Sequence, residues 1–115
     1  MSWEKCTLDA KVTLLRFQIN LSAALGRNVN FFINSAYRSP EYNAELRKKS
    51  SKVAKNSNHM QGIAFDISTT RSVGISDADR TVFMNVARQS GFLGIGKYPT
   101  FIHVDLGPER SRGSF

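Results

Sequence analysis

The chain is organised around SNHMQGIAFD, residues Ser57–Asp66, which reads as S-x-H-x-x-G-x-A-x-D. A second stretch, FIHVD at Phe101–Asp105, follows near the end of the 115 residues. The chain has two histidines, and each stretch holds one of them, His59 and His103. Imidazole and carboxylate are the usual ligands of a catalytic zinc ion, which takes three protein groups and leaves one position for water. His59, Asp66 and His103 would supply such a set.

The alternation of side chains predicts a strand on each side of this ligand set. After Gly62, a residue at which a loop can turn into a strand, apolar residues alternate with small or polar ones in the period of a half-buried strand. Asp66 shares its strand face with the small Ala64, which leaves room for an ion. In the late stretch, His103 shares a face with Phe101 and Asp105.

Pairing of these two strands would complete the site. Facing side chains of paired strands lie about 4.5–5.5 Å apart at Cβ, so Asp66 and His103 could share one metal ion while His59 reaches it from the preceding loop. Taken singly, His59 reads more simply as a loop histidine and His103 as a satisfied core histidine. The joint pattern favours a metal site.

Together with SAYRS at Ser35–Ser39, the two motifs resemble the D-alanyl-D-alanine carboxypeptidase and L-alanyl-D-glutamate endopeptidase family of zinc peptidases, which cut bacterial peptidoglycan. The resemblance runs from about Asn30 to Arg110. It implies an α+β fold, in which a small antiparallel sheet carries the site and helices pack on the opposite face. It implies a zinc ion on three ligands: His59, Asp66 and His103.

The resemblance also implies two residues that contact the substrate. Arg38 matches the arginine that holds a substrate carboxylate or carbonyl oxygen, and a guanidinium offers such oxygens a fork of donors. The alternative role for Arg38 is a surface salt bridge. Ser57 matches the motif serine, which bonds substrate or braces the loop. Tyr98 could donate a hydrogen bond to the oxyanion, or it is an ordinary amphipathic aromatic.

The general base is where the sequence departs from the family. In this mechanism zinc activates a water molecule, and a carboxylate carries its proton to the leaving amine. Several members have an acid where this chain has Thr100, and others a histidine where it has Phe101. Asp105 is the remaining candidate and is predicted to be the base. In its alternative role it accepts the ring N–H of a ligand imidazole and orients it.

Composition limits the remaining possibilities. At 115 residues and 41% hydrophobic content, the chain is predicted to form one folded domain over residues 1–115. The single Cys6 excludes an intramolecular disulfide framework and is interpreted as a packing or incidental thiol, not a nucleophile. A net charge of +7 suits a polyanionic partner. Nucleic acid is not expected, because the lysines lack interleaved aromatics and no nucleic-acid motif is present.

The partner that we predict is the peptide of bacterial peptidoglycan, bound by a monomer. The N-terminus lacks the layout of a secretory signal, and no apolar run approaches a membrane span. Synthesis in the cytoplasm is therefore expected, with delivery to the wall through a pore or by lysis, as for a phage or prophage lysis enzyme. The rival hypothesis is a zinc-bearing cell-wall binding module without catalysis, which Thr100 supports.

Three helices are predicted around the two motifs. The first spans about Leu8–Leu25 and ends at Gly26, the second runs from the cap Ser39 to about Lys49, and the third opens at Ser76 and ends at Gly91. The apolar face of the first helix is defined by residues at helical spacing, Leu8, Val12, Leu15 and Ile19, and is widened by Leu14, Phe17 and Leu21. The face of the third comprises Val82, Phe83, Val86 and Ala87.

The connecting segments complete the prediction. A buried strand is expected within residues 28–34 and a short strand with a turn within residues 92–98. Residues 50–58 read as a polar loop beside the site, and the tail from Gly107 as frayed and basic. A basic run follows the second helix, and its cations either complement the helix C-terminus or form an attachment patch for an anionic wall polymer. It comprises Arg47, Lys48, Lys49, Lys52 and Lys55.

Overall fold

The two predicted motif strands form the centre of a sheet that has five strands, parallel and antiparallel, in the part of the chain that the structure describes. In the computed structural model, which describes residues 3–50, 53, 57–107 and the backbone of 110–111, the strand order is β1-β2-β4-β3-β5. The strands are β1 (Ile33–Ser35), β2 (Ala64–Ser68), β3 (Gly94–Lys97), β4 (Phe101–Asp105) and β5 (Arg110–Ser111). The first four pair antiparallel, and the short β5 joins β3 in parallel. The predicted α+β class is confirmed.

Among the described residues, three α-helices accompany the sheet. Their ends lie within one residue of the predicted ones, except at the start of the third helix. They are α1 (Leu8–Leu25), α2 (Pro40–Lys49) and α3 (Arg80–Ser90). Thr7 caps α1 by accepting the Ala10 N–H, and Gly26 ends the helix with a φ of 67°. The predicted start at Ser76 is a short 3-10 turn, Asp77–Asp79, in which the Asp79 carboxylate accepts the Ser76 N–H at 2.9 Å.

The core lies between α1, α3 and one face of the sheet. Phe17 of α1 is fully buried, and its ring centroid lies 4.9 Å from that of Phe83 in α3 and 5.9 Å from that of Phe92. Phe65 of β2 continues the cluster, 6.2 Å from Phe92. Aromatic pairs at such distances add to the hydrophobic stabilisation from burial. Cys6 is also buried, as predicted for a packing thiol.

The predicted core face of α1 is partly wrong. Leu8, Val12, Leu15 and Ile19 are exposed, while the stripe that faces the sheet comprises Ala10, Leu14, Phe17 and Leu21. Both stripes fit a helical period, so the spacing alone could not choose between them. The small Ala10 is fully buried within this stripe. In α3, Val82 is likewise exposed, against prediction, whereas Phe83, Val86 and Ala87 are buried.

The predicted buried strand at residues 28–34 is also corrected. The strand β1 begins at Ile33, lies at the edge of the sheet, and leaves Phe32 44% exposed. Asn30 forms only an isolated bridge with Val73. A strand at the edge of a sheet has a neighbouring strand on one side only. This position explains why β1 is only partly buried.

Some predictions fall on residues outside the described part of the chain. They concern Lys52 and Lys55 of the basic run, most of the loop at residues 51–56, and the side chains of the tail from residue 108 onward. Arg47, Lys48 and Lys49 do lie in the last turn of α2, where cations complement the helix dipole. Among the helices described, none is long and apolar enough to cross a membrane.

Candidate metal centre

Three predicted ligands meet on the sheet. His103 in β4 is the antiparallel partner of Asp66 in β2, and His59 lies in a 3-10 turn that precedes β2. His59 Nε2 lies 3.1 Å and His103 Nδ1 2.9 Å from the same atom, Asp66 Oδ1. The three possible ligand atoms all lie within 4.8 Å of one another, and all three residues are buried. Two imidazole nitrogens and a carboxylate oxygen are a donor set that could hold a metal ion.

The turn that carries His59 is fixed at both ends. Ser57 caps it, and its Oγ accepts the His59 N–H at 3.2 Å. Gly62 ends the turn with a φ of 71°, and a Cβ there would lie 2.6 Å from the Lys5 carbonyl oxygen. Only glycine suits this close approach in a left-handed conformation. The Arg38 N–H also donates to the His59 carbonyl at 3.0 Å.

In each imidazole one ring nitrogen faces Asp66, here called the inner nitrogen, and the other, the outer nitrogen, faces away. The partners of the outer nitrogens determine where the imidazole hydrogens lie. His59 Nδ1 lies 2.6 Å from the Ala36 carbonyl oxygen, and His103 Nε2 lies 2.7 Å from Asp105 Oδ2. A carbonyl or ionised carboxylate can only accept a hydrogen bond, so each neutral imidazole carries its hydrogen on the outer nitrogen. Both inner nitrogens then present lone pairs to Asp66 Oδ1. With both rings neutral, three acceptors face one another, and a positive charge must separate them, either a proton on an inner nitrogen or a cation. The donor set fits a divalent metal ion such as zinc.

The pKa values of the cluster indicate the same preference for positive charge. Burial alone would raise the pKa of Asp66, but hydrogen bonds from His103 and His59 outweigh it and hold the pKa well below its usual range. Burial would lower the pKa of His103, but its hydrogen bonds to Asp105 and Asp66 outweigh burial and raise the pKa. The space between these groups therefore favours a positive charge, from either a proton or a metal ion.

Asp105 lies beneath the centre rather than in it. Its side chain is fully buried, Oδ2 accepts from His103, and Oδ1 accepts the Gly107 N–H at 2.8 Å. A Cβ on Gly94, the neighbour of Asp105 across β3 and β4, would overlap the carboxylate. Asp105 lines neither cavity beside the cluster. This placement does not support the predicted general base and favours the alternative, in which Asp105 orients the His103 ring.

Arg38 lies between two cavities. Its side chain is 8% exposed, Nη1 donates to Asn43 Oδ1 at 3.0 Å, and Nη2 lies 3.6 Å from Asp66 Oδ2. Burial lowers the pKa of Arg38, and the neighbouring Asp66 carboxylate opposes that shift. Arg38 and Asp66 line both a cavity of about 430 Å³ toward Tyr42 and one of about 290 Å³ toward Phe101. Arg38 is therefore within the site and is not a surface salt bridge.

The other predicted contacts separate into two groups. Tyr98 lines the smaller cavity and stacks on Phe101, with ring centroids 4.5 Å apart. Ser57 is fully buried and lines neither cavity, which favours its bracing role over contact with substrate. Among the described residues, Asp66 is the only carboxylate that lines either cavity. Thr100, at the position where several members of the resembled family have an acid, lines neither of them.

Three groups that support the candidate metal centre were not predicted from the sequence. The Ala36 carbonyl has no side-chain signal, and the Asn43 amide on α2 could be placed against Arg38 only by the helix packing. The sequence indicates only a turn or short strand at Gly94, and its position opposite Asp105 follows from the pairing of β3 with β4. The one available indication that Ala36 belongs to the site was its place inside the SAYRS motif.

Comparison with known proteins gives consistent relatives. Residues 3–112 match the family described as Peptidoglycan L,D-endopeptidase MepK. The chain is 39% identical over 95 residues to the probable peptidoglycan L,D-endopeptidase MepK of Haemophilus influenzae, which covers 80% of this chain and 48% of that protein. It is 35% identical over 92 residues to peptidoglycan L,D-endopeptidase MepK of Escherichia coli, covering 78% and 47%. The chain thus spans about half the length of the curated relatives it matches.

Proposed function

This chain belongs to the peptidoglycan L,D-endopeptidase MepK family, and we propose that it is a zinc-dependent peptidase that hydrolyses a peptide bond within bacterial peptidoglycan. Membership confirms, at the level of the family, the resemblance to zinc peptidoglycan peptidases. The observation that carries the proposal is the set of three buried acceptors, His59 Nε2, Asp66 Oδ1 and His103 Nδ1, directed at one point.

An endopeptidase is favoured over a carboxypeptidase. A peptide cut in its interior needs room on both sides of the reacting bond, and the two cavities that share Arg38 and Asp66 offer it. A site for terminal D-alanine would need only a short pocket on one side. The names of the relatives favour the same choice.

Each group has a distinct task in the proposed reaction. Zinc, when bound, supplies an activated water and polarises the scissile carbonyl. His59, Asp66 and His103 hold the ion, while the Ala36 carbonyl and Asp105 keep both inner nitrogens free of hydrogen. Arg38 donates to a carboxylate or carbonyl oxygen of the peptide. Asp105 acts as a positioning residue and not as the proton acceptor.

Product analysis tests this function. The protein is incubated with zinc and purified peptidoglycan, and the released fragments are identified by mass spectrometry. We expect new amino and carboxyl ends within the peptide, and their loss with a chelator or with His59→Ala. A product set containing only free D-alanine would indicate a carboxypeptidase instead.

One observation favours a second candidate, a zinc-bearing wall-binding module without catalysis. Among the described residues, no carboxylate other than Asp66 lines the cavities, so a separate proton acceptor is not in place there. For that module, the zinc-loaded protein would sediment with peptidoglycan and release no new ends from any wall type.

The cellular route remains a separate proposal. Synthesis in the cytoplasm followed by release at lysis would suit a phage or prophage enzyme. Fractionation of producing cells before and after lysis, with detection of the protein in each fraction, tests this route independently of the chemistry.

A further inference from the structure

Helix α1 carries a second apolar stripe on the side opposite the core. Leu8, Val12, Leu15 and Ile19 are 74%, 43%, 54% and 68% exposed. Successive helical residues are about 100° apart, which places this stripe directly opposite the buried one. Contiguous exposed apolar patches on soluble proteins mark interaction sites. The stripe is therefore a candidate interaction site.

The spacing of the stripe matches another helix. Its members follow one another at intervals of four, three and four residues, the spacing of the two apolar positions in a heptad repeat. Val12 and Ile19 occupy one of these positions, and Leu8 and Leu15 the other. The stripe extends about 16 Å along the helix axis, which gives four layers of contact with a partner of the same spacing.

The flanking charges identify the partner and its direction. Asp9 and Arg16 are exposed along the same edge of the stripe. In an antiparallel pair of two α1 helices, with Val12 against Leu15 of the second copy, Asp9 lies beside Arg16 of the second copy, and the twofold axis repeats the pair. A parallel pair would instead oppose Lys11 with Arg16 of the second copy. Like charges at those positions are unfavourable.

We propose that the exposed stripe of α1 binds the same stripe of a second copy of this chain, antiparallel and about a twofold axis. A self-complementary patch is what a twofold dimer requires. The residues that line the two cavities lie in residues 34–66 and 98–103, so none belongs to α1, and both metal centres stay open. This dimer replaces the monomer predicted from sequence and does not depend on the proposed reaction.

The interface is small, so association should be weak and visible only as concentration rises. Sedimentation equilibrium of the full chain from low micromolar to submillimolar concentration tests it. We expect the mass to rise from that of the 12.9 kDa monomer toward twice this value. Asp9→Arg and Arg16→Asp should each weaken association by about fivefold or more, because each replaces two attractive pairs with two repulsive ones. The double variant should restore association.

Matched controls separate the interface from general effects. Leu15→Ser should abolish association, whereas Val73→Ser, at a residue 59% exposed outside the stripe, should leave the mass unchanged. Thermal unfolding confirms that each variant is folded. A monomer at every concentration overturns the proposal, as does failure of the double variant to recover. Binding of the monomer to vesicles of phosphatidylglycerol and phosphatidylethanolamine, without self-association, overturns it in favour of a lipid surface.

Discussion

At the scale of single residues, the candidate metal centre depends on two acceptors that face away from it. The Ala36 carbonyl and the Asp105 carboxylate fix the hydrogens of the two imidazoles. The meeting of His59, Asp66 and His103 could be predicted because the chain has two histidines, each in a motif. The contact between Asp105 and His103 Nε2 could not be predicted, because strand alternation places Asp105 on the face of His103 without indicating which ring nitrogen contacts it.

Asp105→Asn tests the orienting role. Both carboxylate oxygens of Asp105 accept hydrogen bonds, from His103 and from Gly107, and an amide has only one acceptor oxygen for these two donors. We expect zinc affinity to fall about 10–100-fold, with turnover recovered at saturating zinc. Calorimetric zinc titration and turnover assays measure the two effects. Unchanged zinc affinity with turnover lost would restore the general-base assignment.

Arg38→Lys tests contact with substrate. Lysine keeps the charge near Asp66 but loses the planar fork of donors. We expect the catalytic efficiency on peptidoglycan fragments to fall about tenfold or more, the loss of one or two charge-assisted hydrogen bonds, while zinc content stays at the wild-type level. Steady-state kinetics and metal analysis check this pair of results. Wild-type kinetics would remove Arg38 from the proposed site.

At the scale of elements, the strand pairing was predictable and the helix orientation was not. The alternation around Asp66 and His103 indicated two strands, and the requirement of a shared metal indicated that they pair, as β2 and β4 do. In α1, two apolar stripes satisfy the same period, and the choice between them follows from the tertiary contacts of Phe17 with Phe83 and Phe92. Contacts of that kind cannot be predicted from the spacing of residues within one helix.

The pairing of β3 with β4 leads to a prediction for Gly94→Ala. The new methyl group would displace the Asp105 carboxylate and disturb its hydrogen bond to His103. We expect zinc affinity to fall about tenfold in a variant that still folds, as followed by zinc titration and circular dichroism.

Gly26→Ala provides the matched control. It adds a methyl group with nothing within 4 Å, at a φ of 67°, and should cost about 1–2 kcal/mol of folding free energy without changing zinc affinity. If the two variants lower zinc affinity equally, the effect of Gly94→Ala reflects lost stability and not displacement of the Asp105 carboxylate.

At the scale of the whole molecule, metal binding and folding should be coupled. The candidate ligands come from a turn and from two strands, and Asp66 and His103 are 37 residues apart in the sequence. An unfolded chain therefore does not hold them together. A ligand that binds only the native state stabilises it, by about 2.7 kcal/mol at a hundredfold excess over its dissociation constant. Zinc should therefore stabilise the entire fold.

Thermal unfolding measures this coupling. We expect zinc to raise the Tm by about 10 °C under those conditions, and a chelator to reverse the shift. His59→Ala should abolish the response, because one of the three ligands is lost. Magnesium, which prefers oxygen ligands, should leave the Tm unchanged. A shift that persists in His59→Ala would place the zinc elsewhere.

The most direct measurement for the central claim is a crystal structure of the zinc-loaded protein with anomalous diffraction at the zinc edge. We expect one peak about 2.0–2.2 Å from three atoms, His59 Nε2, Asp66 Oδ1 and His103 Nδ1, with Asp105 still hydrogen-bonded to His103 Nε2. No peak between these atoms, or zinc bound through the opposite nitrogen of His103, would contradict the central claim.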